Sequence, residues 1–261
     1  MEKETDKMEY EDMTFKIPQE SPDYEEQSNF VVKNIEAVIA DSIEKNTNKI
    51  VLNTSLKLGL PLENINKIAG PMIEAWAAEI FTDVRDDLNN PYHLINVDAQ
   101  PRLGMADIVL QFKQDETVYT GNVDVKATAG DIPKSGRGPN ITSFSRIRTA
   151  YVDDPDFMFI ILSLKHKVYS VRNEETFLMD GIMEITDYNA YDLKFISDGD
   201  ISYNPALGSG QIQIKDIHYI TYQHRTTWEF CQLLDAKYLR SSRRTMDDWY
   251  REATKFKWIK N

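Results

Sequence analysis

Apolar positions along this chain change period several times, and each change marks an element. From Ser21-Pro22 onward, Phe30, Val31, Ile35, Val38 and Ile39 recur at helical spacing and give one apolar face. Serine suits the cap of that helix and proline its first turn. A second helix is predicted from Pro61 to Gly70, and Pro71 restarts it as Met72–Phe81. The period then shortens. Strands are predicted near 105–112, 117–126, 157–164 and 167–172, the first two joined by the polar turn Lys113-Gln114-Asp115-Glu116. Residues 173–225, broken by Asp-Gly, Asn-Pro and Gly-Ser-Gly, read as short strands and loops. Thr226-x-x-Glu229 and Thr245-x-x-Asp248 have the form of capping boxes opening two closing helices.

The first twenty residues lack such patterning. They predict an acidic N-terminal tail over 1–20, mobile through about its first dozen positions. With no repeat and no linker, residues 21–261 are expected to form one α/β domain, a mixed central β-sheet flanked by helices.

Composition narrows the class. A chain of 261 residues with 41% hydrophobic and 28% charged residues can bury a substantial core and has the balance of a soluble protein. No apolar run approaches the ~20 residues of a membrane span, and the acidic N-terminus lacks a signal-peptide core, so cytoplasmic residence with no membrane partner is expected. The single cysteine, Cys231, excludes an intramolecular disulfide and a cysteine-rich zinc module. His93, His166, His218 and His224 show no metal-ligand spacing.

A net charge of −12 argues against a nucleic-acid partner until its distribution is examined. The acids concentrate in 1–26 and 173–214, whereas 101–172 holds ten basic residues against eight acidic and 215–261 ten against six. Binding to a polyanion depends on the local field of a cleft more than on total charge.

Candidate chemistry lies in the central, locally basic stretch. Ala106-Asp107-Ile108-Val109-Leu110 is followed by Asp124-Val125-Lys126-Ala127-Thr128, so two neighbouring strands each set a carboxylate beside aliphatic residues. Positions two apart on a strand share a face, which puts Asp124 and Lys126 together. Two carboxylates and an ammonium suit a divalent cation and a phosphodiester. The acid-x-lysine string by itself is weak, since it recurs at Asp192-x-Lys194 and Asp235-x-Lys237. Only Asp124 has a partner acid in a preceding strand and a polar loop just after it. That loop, Ala129 to Thr142, carries three glycines, two prolines, cations and an asparagine, and can lay its backbone against a ligand. The competing reading is a hairpin with a surface ion pair and a long surface loop.

Asp107…Asp124-x-Lys126, followed by Lys134-Ser135-x-x-x-Pro139-Asn140-Ile141, resembles the type II restriction endonucleases of the HincII and HpaI kind. The opening Phe15-Lys16-Ile17-Pro18-Gln19-Glu20-Ser21-Pro22 is nearest to the HpaI pattern, and Asn204 to Gln213 is similar to the family's second DNA-contacting segment. The resemblance spans most of the chain in order.

It implies a restriction-endonuclease-like PD-(D/E)xK fold. It implies an Mg²⁺-dependent enzyme that hydrolyses double-stranded DNA at a six-base palindrome of the GTTAAC or GTYRAC type, leaving blunt ends with 5′-phosphates. Asp107 and Asp124, with the Val125 carbonyl, would hold the metal. Lys126 would be the active-site lysine, and Glu74 falls where such enzymes often carry a helix glutamate. Lys134, Ser135, Arg137, Gly138, Asn140, Thr142, Asn204 and Gln211 would contact DNA. Arg137 stands where HincII has a glutamine that wedges into the base stack, and the loop is longer before Lys134-Ser135. A palindrome implies a homodimer, and a restriction enzyme implies a host methyltransferase. Other classes are a structure-specific or repair nuclease of the same core, and a DNA-binding protein without catalysis. The basic residues Arg240, Arg243, Arg244, Lys255, Lys257 and Lys260 read as a solvated helix face or a phosphate contact. The acids Glu174, Glu175, Asp198 and Asp200 read as solvated.

Overall fold

The computed structural model describes residues 9–59, 62–101 and 104–260, so Pro61 and the first eight residues of the expected tail lie outside the described residues. Its helices are α1 (Tyr24–Glu44), α2 (Leu62–Asp86), α3 (Phe144–Asp153), α4 (Thr227–Leu239) and α5 (Met246–Lys255). Its strands are β1 (Lys49–Leu56), β2 (Leu94–Ala99), β3 (Ile108–Gln114), β4 (Thr117–Ala129), β5 (Asn140–Ser143), β6 (Met158–Arg172), β7 (Met179–Asp192), β8 (Ile201–Asn204) and β9 (Gln211–Ile214).

Six strands form a mixed sheet in the order β1-β7-β6-β4-β3-β2, in which β4 and β6 run parallel and every other pairing is antiparallel. A smaller antiparallel sheet has the order β5-β9-β8. The mixed α/β architecture with helices on a central sheet is thus as expected. Parallel strands buried on both faces read as unbroken apolar runs, and Met158 to Leu162 of β6 is such a run, buried throughout.

The two faces of the large sheet carry separate cores. Val31, Ile35 and Val38 of α1 and Ile73, Trp76 and Phe81 of α2 cover one face, over Val123 and Val125 of β4. The other face, over Phe159 and Ile161, meets α3, α4, α5 and the inner side of the small sheet through Ile212 and Ile214. Gly70-Pro71 does not end the second helix, because Ala69 before the proline and Ile73, Trp76 and Ala77 after it enter the same core. That burial outweighs an interior proline, which costs about 3 kcal/mol. The break expected near residue 165 is only a register shift within β6. Residues 179–192 form one long strand rather than short pieces, and their acids are cross-strand partners, as in Lys165–Asp187 at 2.7 Å. The first helix begins at Tyr24, and Ser21 bonds Asp156 rather than capping it. Both capping boxes form as expected.

The mobile tail is corrected from residue 9 onward. Phe15 bridges to Ile259, Tyr10 packs on Trp249, and the Tyr10 hydroxyl donates to Asp235 at 2.8 Å. Glu20 accepts the ammonium of the wholly buried Lys194 at 2.6 Å. Asp235 and Arg148 are both fully buried, paired at 3.1 Å, with the guanidinium 5.2 Å from the Trp258 ring centroid. Cys231 lies buried in the same core, its thiol pushed up to about 12 by burial.

Removing one partner of a buried ion pair strands the other charge, at a cost of about 3–5 kcal/mol. Asp235→Ala should therefore lower the unfolding free energy by that order in urea titration. A change below about 1 kcal/mol would mean that solvent reaches Arg148.

Candidate functional site

β3 and β4 pair antiparallel with Ile108 opposite Val123, and just beyond that pair the Asp107 amide donates to the Val123 carbonyl at 2.9 Å. This places Asp107 beside Asp124 at the strand end. Asp107 Oδ2 accepts the Val125 amide at 2.7 Å, which fixes one carboxylate against the backbone that carries the other. Lys126 Nζ stands 2.6 Å from Asp124 Oδ2. Glu74, in the middle of α2, lines a cleft with Gln100, Gly104 and Asp107. The structure thus gathers Glu74, Asp107, Asp124 and Lys126, drawn from one helix and two strands.

Burial sets the electrostatics. Asp124 is 5% exposed, and loss of hydration pushes its carboxyl up to about 7, against the pull of Lys126 and with the help of Asp107 and Glu74. Glu74 is raised for the same first reason, with Asp107 adding to it and Lys126 opposing. Asp124 Oδ2 has no hydrogen-bond partner of good geometry despite the close ammonium. A buried carboxylate oxygen left so is a strong acceptor for a cation. No group of three His, Cys, Asp or Glu comes together as a metal cage among the described residues. A hard cation that keeps several waters needs only one or two carboxylates, and the donors present fit one.

After β4 the chain leaves the sheet, forms the glycine-rich loop, β5 and α3, and returns as β6. The loop closes on its own strand through the Ala129 amide, which donates to Ser135 Oγ at 2.9 Å, and Lys134 is exposed. Gly136 and Gly138 have φ of +90° and +63°, values that side chains resist. Arg137 is exposed and bridges to Asp216.

The small sheet then unites segments that are distant in sequence. Asn140 lies opposite Gln213, whose side-chain amide donates to Asn140 Oδ1 at 3.0 Å and to the Gly138 carbonyl at 3.1 Å. Gln211 lies opposite Asn204 and, with Gln213, forms the outer face of β9. One expected contact needs correction. Thr142 is buried at 5% exposure, opposite Ile212 beyond a register shift, and does not face outward. Asn204 Oδ1 is engaged by the Ala206 amide in its own turn.

Gln213 was not singled out by sequence, although the alternation Gln211-Ile212-Gln213-Ile214 in a strand sets both amides on one face. Of the basic C-terminal residues, Arg244 is spent inward, donating to the Tyr203 hydroxyl and to the Pro205 and Gly208 carbonyls. Asp198 pairs with Lys237, and Asp200 accepts from Ser197 and Thr221, so these acids support local structure.

A family model described as type II restriction endonuclease HpaI matches residues 11–257. The type II restriction enzyme HpaI of Haemophilus parainfluenzae is 63% identical over 254 residues, covering 97% of this chain and 100% of that protein. The solved NlaIV restriction endonuclease superposes with a TM-score of 0.41 at 14% identity, over 73% of each chain.

The carboxyl of Asp124 titrates near pH 7 when folded and near 4 when unfolded. Between these values the native state binds more protons, so this group subtracts stability as pH rises from about 4 to about 7 and changes nothing further above that. Without divalent cation, the parent protein should therefore lose stability relative to Asp124→Asn across that window. Parallel melting curves of the two proteins would contradict the buried-acid assignment.

Proposed function

The chain belongs to the HpaI family of type II restriction endonucleases, and on that premise we propose that Asp107, Asp124 and Lys126 are its hydrolytic centre and that the outer face of the small sheet reads its site. As a site-specific deoxyribonuclease it acts on double-stranded DNA. The finer reading is a PD-(D/E)xK nuclease that uses Mg²⁺ to hydrolyse DNA at a short palindrome of the GTTAAC or GTYRAC type, leaving blunt ends and 5′-phosphates.

One observation carries the reading of the site: β4, which holds the Asp124–Lys126 pair, runs directly into the crossover that carries Asn140, and Gln213 of β9 joins Asn140 there from a distant part of the chain. Cutting and reading groups are therefore joined by a short path of backbone.

Asp107 and Asp124 would hold the metal, with the Val125 carbonyl beside them. When bound, such an ion neutralises charge on the phosphate and supplies a water acidic enough to attack phosphorus. Asp107 stays oriented by the Val125 amide, so its second oxygen is presented at a fixed angle. Lys126 offsets charge on the phosphoryl oxygens and holds the attacking water near Asp124. Glu74, held toward its neutral form at the cleft wall, contributes an acceptor or a donor according to pH.

On the small sheet, Asn140 presents an amide suited to the edge of adenine in the major groove. Gln211 extends that face, while the exposed Lys134 and Arg137 would meet the phosphate backbone. Ser135, Gly138 and Asn204 would add contacts at the edge of this surface, while the buried Thr142 would support its shape. A palindrome is read by two copies about a two-fold axis, so the active species is a homodimer, and a cognate methyltransferase guards the host DNA. No helix among the described residues is long and apolar enough to cross a membrane.

Incubation with unmethylated phage-sized DNA tests the whole reading. Discrete fragments in Mg²⁺ and none in EDTA are expected, with sequenced ends giving the site. Asp124→Asn should slow cutting about a thousandfold, the scale of several kcal/mol of lost transition-state stabilisation. Cutting at the parent rate by that variant would remove the site assignment.

A further inference from the structure

His218 lies just beyond β9, outside the groups assigned above, yet its ring spans the joint between the small sheet and the catalytic strand. Its Nε2 meets Thr128 Oγ1, and its Nδ1 lies 2.9 Å from Ser163 Oγ. Thr128 is two residues beyond Lys126 on β4, on the same face of the strand. Ser163 is the register partner of Lys126 on β6 and is fully buried. The imidazole therefore straddles the two parallel strands beside the lysine.

The other side of the joint is equally tied. The Ile217 amide donates to the Gly136 carbonyl at 3.1 Å, and the Ile217 carbonyl accepts from the Tyr191 hydroxyl at 2.9 Å. A Cβ on Gly136 would stand 3.1 Å from both the His218 ring and the Thr128 methyl, so the loop turn rests directly on this pair. His218 thus touches the glycine loop, the exit of β9 and the Lys126 strand at once. Burial and Lys165 lower its proton affinity, against Asp216 and Asp187, which favours a ring that accepts at one nitrogen and donates at the other.

We propose that His218 is a positioning residue that couples reading to cutting, holding the loop and small sheet in register with the strand that carries Lys126. The proposal rests on the hydrolytic and reading roles given above. Base contacts made on the small sheet load its 215–218 exit segment, and the imidazole transmits that load to β4 at Thr128. When a wrong base leaves the sheet displaced, Lys126 is displaced with it. A shift of about 1 Å in a reacting group can cost about a hundredfold in rate.

The test separates binding from cutting and correct from altered sites. Single-turnover rates at saturating enzyme are measured on the parent site and on a site altered at one base, with duplex affinity measured in Ca²⁺ in place of Mg²⁺. His218→Ala should cut the parent site about 10- to 100-fold more slowly with affinity nearly unchanged, and should narrow the ratio of parent-site to altered-site rates. Thr128→Val should give the same signature, and the double variant should be no worse than either single one, as for two members of one link. His218→Gln, which keeps a polar group toward Thr128, should recover part of the rate.

An unchanged parent-site rate overturns the proposal. So does a loss of rate matched by an equal loss of affinity, or an unchanged ratio between sites. If His218→Ala fails to fold by circular dichroism, the Thr128→Val measurements decide alone. Asp124→Asn is run beside them. Its cutting at the parent rate would indict the hydrolytic centre itself, whereas an inactive Asp124→Asn with an unaffected His218→Ala indicts only the coupling.

Discussion

The parallel pairing of β4 with β6 is the constraint from which the rest of this molecule follows. Two parallel strands cannot be joined by a tight turn, so the chain must leave one end of the first and return to the other end of the second. Here residues 130–157 make that journey. They are not a neutral connector, since they contain the glycine loop, β5 and the helix that seals the second core. The strand that holds Asp124 and Lys126 therefore delivers its chain directly into the element facing outward toward a ligand. On the proposed reading, proximity of chemistry and recognition is a product of topology before it is a product of contacts.

The same pairing explains why Asp124 is so unsettled in the free protein. β4 lies between β3 and β6, so Asp124 inherits the dryness of a central strand and is held toward its neutral form even with an ammonium at 2.6 Å. An exposed pair of this kind would titrate normally and bind a cation weakly. Burial leaves an acceptor whose charge becomes favourable only when another cation arrives, so cation affinity and protonation are opposed here.

The hairpin of β3 and β4, the acid pair that it brings together and the two capping boxes were legible in the sequence because each rests on a turn or a cap read from nearby residues. The link from Asn140 to Gln213 was not, since nothing local specifies which distant strand will lie opposite. Long-range pairing also hid β7, whose acids look like loop residues until Lys165 and Asn173 are set across from them. Tyr10, Phe15 and Glu20 were hidden for a related reason. A short charged segment with a few aromatics reads as solvent-loving, and only α4, α5 and the buried Lys194 give those side chains a reason to order. Pro71 misled in the opposite direction, since its local preference lost to a continuous apolar stripe.

The lone cysteine gives the fold a practical property. Cys231 is fully buried on α4, next to the Arg148–Asp235 pair, and burial lowers the acidity of its thiol. A thiol reagent can meet it only when that helix lifts away from the sheet. The rate of labelling would then clock the breathing of the second core, separately from the first, which contains no sulfhydryl. The protein thus carries an intrinsic probe for asking whether occupying the small sheet with DNA quiets the half of the molecule behind it.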